Sequence, residues 1–412
     1  MVRRAPLYAL YAADAISLAG NAVAQLAIPW FVLTTTGSAT YTALAVFFNF
    51  LPIVLAGFLG GVIVDRLGFR TTSIAADLAS SAAVAAIPLL HTTVGIELWQ
   101  LFALVFVGAL LDAPGATARA ALLPDLAESA GMRLERASGI RSGIQQGAQL
   151  VGAPLGGVLI ATVGATNALW LNAASFLVSA ALVGLFVAAP TKGTEGEPGG
   201  RFFGELVDGL RFVWDQRLLR ALVLTVLVTN LLDAPLPVVM AVFAEAEYGS
   251  AADLGVMYGV FGGAALVGSL AYGWRGHRLP RRRTFVVCFA TIPVMYLVMA
   301  TLPRLPVALL VLAVVGLAAG PLNPLIFTVT AEVVPTELRG RVFGAVRAGA
   351  WAAIPLGILV GGVLVETIGV AATFLAIGIA YAAVVGYGFF NPAFRDMDSA
   401  SEPDDRDEVL LR

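Results

Sequence analysis

Charge is scarce in this chain, and so are the side chains on which most protein chemistry depends. Asp, Glu, Lys and Arg make up 13% of its 412 residues, about half the share of a soluble domain. Cysteine occurs once, as Cys288, so no disulfide can close within the chain. The two histidines, His91 and His277, stand too far apart to suggest a metal site, and none is expected. Lysine also occurs once, as Lys192, and no Gly-x-x-x-x-Gly-Lys run is present, which excludes a phosphate loop for ATP. Nucleophiles, bases and metal ligands do not cluster as an enzyme would need, so neither catalytic residues nor a cofactor is expected. No nucleic-acid partner is expected either. The first apolar run is too long for a cleavable signal peptide and carries Asp14, Asn21 and Gln25.

Apolar surface is what the chain has in abundance. Hydrophobic residues form 59% of it and the mean hydropathy is +0.87, which points to an all-α polytopic membrane protein. A helix crosses a bilayer with about 20 apolar residues. Runs of that length fall at 8–34, 40–64, 71–90, 98–122, 138–163 and 166–189. Six more follow at 218–243, 251–274, 284–302, 306–329, 342–367 and 370–390, so twelve transmembrane helices are expected. The expected organisation is a six-helix bundle over 1–190, a cytoplasmic linker over 191–217, a second six-helix bundle over 218–391 and a disordered acidic tail over 392–412. Over 202–220, Phe202, Phe203, Leu206, Leu210 and Val213 alternate with Glu205, Asp208, Arg211 and Asp215 at helical spacing. That pattern predicts an amphipathic helix lying on the membrane.

Every Lys and Arg except Arg304 falls on the side of the amino terminus, which places both termini in the cytoplasm. The two halves also repeat each other. Gly37-Ser38 recurs 212 residues on as Gly249-Ser250, and at that offset Gly61 meets Gly273, Arg66 meets Arg278, Arg70 meets Arg282 and Thr72 meets Thr284. Asp65 meets His277, so the second copy is degenerate there. Gly156-Gly157 recurs at an offset of 205 as Gly361-Gly362, and Arg141 approaches Arg347 at 206.

The link between the second and third spans runs from Gly61 to Arg70. Its order, Gly-x-x-x-Asp-Arg-x-Gly-x-Arg, resembles the loop signature of the major facilitator superfamily, with Phe69 where that family usually carries a basic residue. The resemblance implies that Gly61 and Gly68 allow close helix approach, that Asp65 docks on a neighbouring helix end, and that Arg66 and Arg70 hold the cytoplasmic surface. Gly152-Ala153-Pro154-Leu155-Gly156-Gly157 in span five is similar to the Gly-Pro-rich motif of the superfamily's exporters, with Ala and Pro exchanged. Gly152 and Gly156 permit close helix contact and Pro154 bends the helix, although ordinary small-residue packing produces the same letters. With Pro124-Asp125-Leu126, Leu210-Arg211-Phe212-Val213-Trp214 and Arg339-Gly340-Arg341-Val342-Phe343-Gly344, the likeness covers nearly the whole chain. It is to the drug:proton antiporter branch, which includes Tap-type multidrug pumps, macrolide efflux proteins and the enterobactin exporter.

The resemblance implies the major facilitator fold: two pseudo-symmetric six-helix bundles with substrate bound between them near the midplane. It also implies a monomer in the cytoplasmic (inner) membrane of a bacterium, exporting amphiphilic drugs or metabolites in exchange for protons. An uptake permease is the competing reading, as is a siderophore or metabolite exporter, since the fold serves both directions. Spans one, four, seven and ten would line the cavity.

Three acids are singled out inside the spans: Asp14, Asp112 and Asp233. A carboxylate at the bilayer centre costs about 2.5–3.5 kcal/mol on insertion scales, so it usually faces a cavity or a partner. Asp14, Asn21 and Gln25 form one stripe on span one, Asn230 and Asp233 share a face of span seven, and Asn323 lies in span ten. A desolvated carboxylate can hold a proton near neutral pH. These are the expected proton and substrate sites, with Asp233 foremost because no basic residue lies within two turns of it in the sequence. Alternatively, Asp14 could reach the headgroups and Asp112 could form a structural ion pair with Arg119. Arg141, Gln145 and Gln149 form a stripe on span five that either binds substrate or pairs Arg141 with Asp65 or Asp112 in a cytoplasmic gate. The expected gate comprises Gly61, Asp65, Arg66, Gly68, Arg70, Arg119, Arg141 and Arg347. No Arg occurs between Leu98 and Leu111, so the mid-helix Arg of many proton antiporters is missing from that part of span four.

Overall fold

The computed structural model describes residues 4–188, 202–335 and 338–399. The expected linker core (191–201), the tail beyond 399 and the side chains of Gly61, Asp65, Arg66 and Arg347 lie outside the described residues. Among the described residues there is no strand. That follows from the composition, because an apolar chain in lipid must satisfy its backbone polar groups within each segment.

The helices are α1 (Ala5–Thr36), α2 (Ala39–Leu67), α3 (Phe69–Thr93), α4 (Leu98–Ser129), α5 (Leu134–Val163), α6 (Ala165–Phe186), α7 (Phe202–Asp215) and α8 (Arg217–Asp233). They continue as α9 (Leu236–Tyr248), α10 (Ala251–Arg275), α11 (Arg281–Met299), α12 (Leu305–Ala319), α13 (Leu322–Val333), α14 (Arg339–Ala352) and α15 (Ile354–Phe390). Among the described residues, ten stretches are long and apolar enough to cross a bilayer. Two of them join α8 with α9 and α12 with α13. A further apolar stretch, Ala39–Pro52, belongs to α2. The structure is thus an all-α, multi-pass membrane protein.

Proline and glycine decide where expected single spans break. Pro235 separates α8 from α9, Gly320-Pro321 separates α12 from α13, and Pro355 stands in the first turn of α15. Proline lacks the N–H that a continuing helix needs. Gly369 interrupts α15 with φ 82° and ψ 167°, so this 37-residue element contains two helical pieces. The amphipathic stretch ends at Asp215, short of the expected 220, because Gln216 is extended and starts a new helix. Val213 of α7 is buried with Leu219, Val334 and Val342, while Leu210 and Trp214 are exposed.

The chain forms two compact units. Unit one contains the described residues of Met1–Pro198 together with Pro235–Gly259 and Ile358–Ile368. Here α1 packs against α5 and α6, α3 against α4 and α6, and α2 against α4. Unit two contains the described residues of Gly199–Ala234, Val260–Gly357 and Gly369–Arg412. In it α14 packs on α7 and α8, and α11 on α12. Leu171, Leu177 and Leu185 of α6 and Val287, Val294 and Leu297 of α11 are exposed, as expected of surfaces that meet acyl chains.

The internal repeat is visible in the backbone and in side-chain bonds. Gly37 and Gly249, 212 apart, both close their helices in the left-handed conformation, at φ 67° and 62°. Arg70 donates from Nη2 to the Gly184 carbonyl at the end of α6, at 2.6 Å. Arg282 donates from Nη2 to the Phe389 carbonyl at the end of α15, at 2.9 Å. The donors are related by the 212 offset and the acceptors by the 205 offset.

Candidate functional site: two intramembrane carboxylate clusters

In unit one, five helices converge on a buried ionic cluster. α1 presents Asp14, Ser17 and Asn21 along one face, at spacings of three and four. Asp112 and Arg119 lie two turns apart on α4, and α3, α5 and α6 contribute Asp77, Arg141 and Ser179. Arg119 donates from Nε to Asp14 Oδ1 at 2.8 Å and from Nη1 to Asp77 Oδ1 at 2.7 Å. Arg141 donates from Nε to the other Asp14 oxygen at 2.8 Å, and the Ser179 hydroxyl to Asp77 Oδ2 at 2.7 Å. The side chains of Arg119, Asp14 and Asp77 are 1%, 2% and 0% exposed. Gly115 makes room for this packing: a Cβ there would lie 3.0 Å from the Ala76 methyl and 3.6 Å from Asp77 Oδ1.

Desolvating ions is costly, so such a cluster persists only when its geometry is nearly saturated. Asp14 and Asp77 meet that condition, with a donor on each oxygen. Asp112 does not. Its Oδ2 accepts from Asn21 Nδ2 at 2.9 Å, but its Oδ1 has no hydrogen bond and lies 3.9 Å from Arg119 Nη2. Its side chain is 21% exposed. Among the described residues three carboxylates face two guanidiniums, which leaves one negative charge unmatched when all are ionised, and Asp112 is the loosest carrier of it.

The second cluster belongs to unit two. Asp233 is the last residue of α8, immediately before the Ala234-Pro235 break. Its two oxygens accept from the hydroxyls of Tyr296 at 2.7 Å and Tyr381 at 2.6 Å. The two phenol rings stack at 5.6 Å. Among the described residues no cation pairs with Asp233, and its side-chain partners are the two phenols.

Several sequence expectations are revised. Asp14 does not reach toward headgroups, because both its oxygens are held inside unit one. Arg141 pairs with Asp14 and not with Asp112, while the Asp65 side chain lies outside the described residues. Arg119 lies at the heart of the cluster, since α4 extends to Ser129 and encloses it. A buried Arg on the fourth span is therefore present, eight residues beyond the Leu98–Leu111 stretch that lacks one. Asp77 and Ser179 were not foreseen. Asp77 meets the same criterion as the chosen acids, a carboxylate inside the apolar run 71–90, whereas serine and tyrosine carry no comparable signal. Gln25, Gln145, Gln149 and Asn323 are exposed and stand apart from both clusters, and Asn230 is half-buried one turn before Asp233. Of the loop signature, Gly68 has φ 76°, and Arg70 also bonds the Val187 carbonyl at 2.5 Å, satisfying carbonyls that the end of α6 leaves open.

The glycine motif of α5 is a set of close approaches inside unit one. A Cβ on Gly157 would lie 2.5 Å from the Ala251 carbonyl oxygen and 2.7 Å from Gly255 Cα. Gly152 meets Ala22, Gly156 meets Val23, and Pro154 abuts Gly259. The repeat reproduces this pattern: Gly357 meets Ala234, Gly361 meets Pro235 and Gly362 meets Ala43. Each pair is the offset image of one on α5.

Broken apolar helices, buried ion clusters and a twofold internal repeat accord with a membrane transporter of the major facilitator class, not an enzyme. The chain belongs to the transmembrane secretion effector family of that superfamily, whose model matches residues 2–410. It is 33% identical over 408 residues to the multidrug efflux pump Tap of Mycolicibacterium fortuitum, covering 97% of this chain and 99% of that one. It is 35% identical over 407 residues to the pump of the same name from Mycobacterium tuberculosis, covering 97% of both. Macrolide efflux protein A of Streptococcus pyogenes is 23% identical over 375 residues, 90% of this chain and 92% of that one. Among solved structures, the nucleoside transporter NupG superposes with a TM-score of 0.75 at 11% identity, covering 95% of this chain and 98% of that one. A bacterial homolog of the lysosomal transporter Spinster gives 0.68 at 14% identity, covering 97% and 98%. At these identities the solved structures speak for the fold alone.

Proposed function

We propose that the protein exports amphiphilic drugs or metabolites across the bacterial cytoplasmic membrane in exchange for protons, as a twelve-span monomer with both termini in the cytoplasm. The similarity to Tap and to macrolide efflux protein A supports export of drug-like substrates. The observation that carries proton coupling is the pair of intramembrane carboxylate clusters, which among the described residues have, in one, an unmatched negative charge and, in the other, no paired cation. An incompletely paired carboxylate inside a membrane is costly unless it binds something that comes and goes. A proton and a cationic or polar cargo are the two natural occupants, and their competition for Asp233 and Asp112 couples their movements. Gln25, Gln145, Gln149 and Asn323 are polar and exposed on transmembrane helices, a surface suited to water and substrate and unsuited to acyl chains.

The test is transport in proteoliposomes containing the purified chain. An imposed pH gradient is expected to drive efflux of a panel of tetracyclines, macrolides and aminoglycosides, and Asp233→Asn to abolish it while the protein still runs as a single folded species. Undiminished gradient-driven efflux by that variant removes Asp233 from the coupling site. The sign of the imposed pH gradient separates export from uptake, because a proton-coupled permease accumulates substrate on the side that protons enter and an antiporter on the side that protons leave.

A further inference from the structure

Away from both clusters, unit two carries a cavity of about 420 Å³ at one end, where α8 begins and α15 finishes. Its charged lining is Arg217, Arg220 and Arg395 with a single acid, Asp396. Three guanidiniums against one carboxylate leave two positive charges, and none of the three arginines forms an ion pair among the described residues. Arg217 and Arg395 are exposed at the mouth, and Arg220 is half-buried in the wall. Arg220 donates from Nη1 to the Trp214 carbonyl at 2.8 Å and lies 6.0 Å from the Trp214 ring centre. Arg395 ends a short turn, Pro392–Arg395, capped by the Asn391 side chain, which accepts from the Ala393 amide at 2.9 Å. Phe394 of the same turn is fully buried and stacks on Phe285 at 5.3 Å, which fixes the turn against α11.

From the arginines inward the surface becomes apolar. Arg217, Arg220, Leu224 and Val228 fall along one face of α8, and Leu224 and Val228 are exposed. Tyr387 lines the cavity, and Phe390 stands exposed one turn further along α15. A cationic cup, aromatic rings at its rim and an apolar track below it make the profile of a phospholipid. We infer that this cavity binds the phosphate headgroup of an anionic phospholipid, with the acyl chains lying along Leu224 and Val228. The site rests on the membrane placement of α8 and α15 and is independent of what the protein transports, so a failure of the drug-export reading leaves it standing.

The test uses the full chain, purified in detergent, delipidated and titrated with phosphatidylglycerol, phosphatidylcholine or inorganic phosphate, read by native mass spectrometry and thermal melting. Phosphatidylglycerol is expected to bind and raise the melting temperature. The Arg217→Gln/Arg220→Gln/Arg395→Gln chain should bind it on the order of 100-fold more weakly, about fivefold for each arginine removed. If the triple variant does not fold, Arg217→Gln alone, at an exposed helix start, should show the fivefold loss. Equal binding of phosphatidylcholine, or unchanged binding by the variants, overturns the inference. Equal stabilisation by inorganic phosphate also overturns it, by making the cup a site for a free anion.

Discussion

Arg119 illustrates how one side chain can hold a membrane protein's interior together without stabilising it in isolation. Its guanidinium neutralises Asp14 and Asp77 at 2.8 and 2.7 Å in a place water does not reach. Removing it strands Asp77, which keeps only the Ser179 hydroxyl, and leaves Asp14 to Arg141 alone; breaking such a pair costs about 3–5 kcal/mol. Arg119→Met is therefore expected to lose most folded protein in size-exclusion chromatography, and Asp77→Asn in the same chain to recover part of it by deleting one stranded charge. Asp112→Asn should behave in the opposite way. An amide oxygen can still accept from Asn21, and the unbonded Oδ1 has little to lose, so a stability change of about 1 kcal/mol or less is expected. If Asp112 carries the moving proton, that variant melts normally yet fails to transport on a pH gradient; normal transport would assign the unmatched charge a structural role. Composition made the acids legible at this scale, because a carboxylate in an apolar run is conspicuous. It did not reveal which partner each would find, since Arg141 and Asp14 are 127 residues apart in the chain and meet only through packing.

At the scale of elements, the paired glycines set how closely helices approach. Gly157 faces backbone atoms of α10, which cannot move aside, whereas Gly362 faces the Ala43 methyl. Gly157→Ala should cost about 1–3 kcal/mol by overpacking. Gly362→Ala should cost a similar amount, but Ala43→Gly in the same chain should restore much of it, since it removes the atom in the way. A double-mutant cycle on thermal melting measures this coupling, and additive effects would mean the two sites do not touch. The sequence displayed Gly156-Gly157 and Gly361-Gly362 as letters. That they are matched contacts followed only when Val23 and Pro235, Ala22 and Ala234, and Ala43 and Gly255 proved to be their partners at the other offset.

For the whole molecule, the proposed transport requires a buried face to open during turnover. Unit one includes Ile358–Ile368, and there Glu366 accepts from the Ser38 hydroxyl at 3.1 Å and from the Thr40 amide at 3.2 Å. The contact caps the start of α2 across more than 300 residues of chain. Thr42, one turn further on, is fully buried. In a Cys288→Ser background, Thr42→Cys is expected to resist a membrane-impermeant maleimide at rest and to label several-fold faster during turnover. Glu366→Ala, which removes this contact to Ser38 and Thr40, should speed labelling even without substrate. Labelling that never changes would mean that this face stays shut throughout the cycle.

Sequence alone determined that this chain is helical, multi-pass and internally repeated. Those properties follow from apolar run length, from the need to satisfy backbone groups in lipid, and from glycine and arginine recurring at fixed offsets. The tertiary structure decided which ions neutralise which, where the long spans break, and that Asp77, Tyr296 and Tyr381 complete the two clusters. Pairing depends on side-chain direction and on the approach of helices distant in sequence, and a charge that is buried must take whatever partner the packing brings within 3 Å.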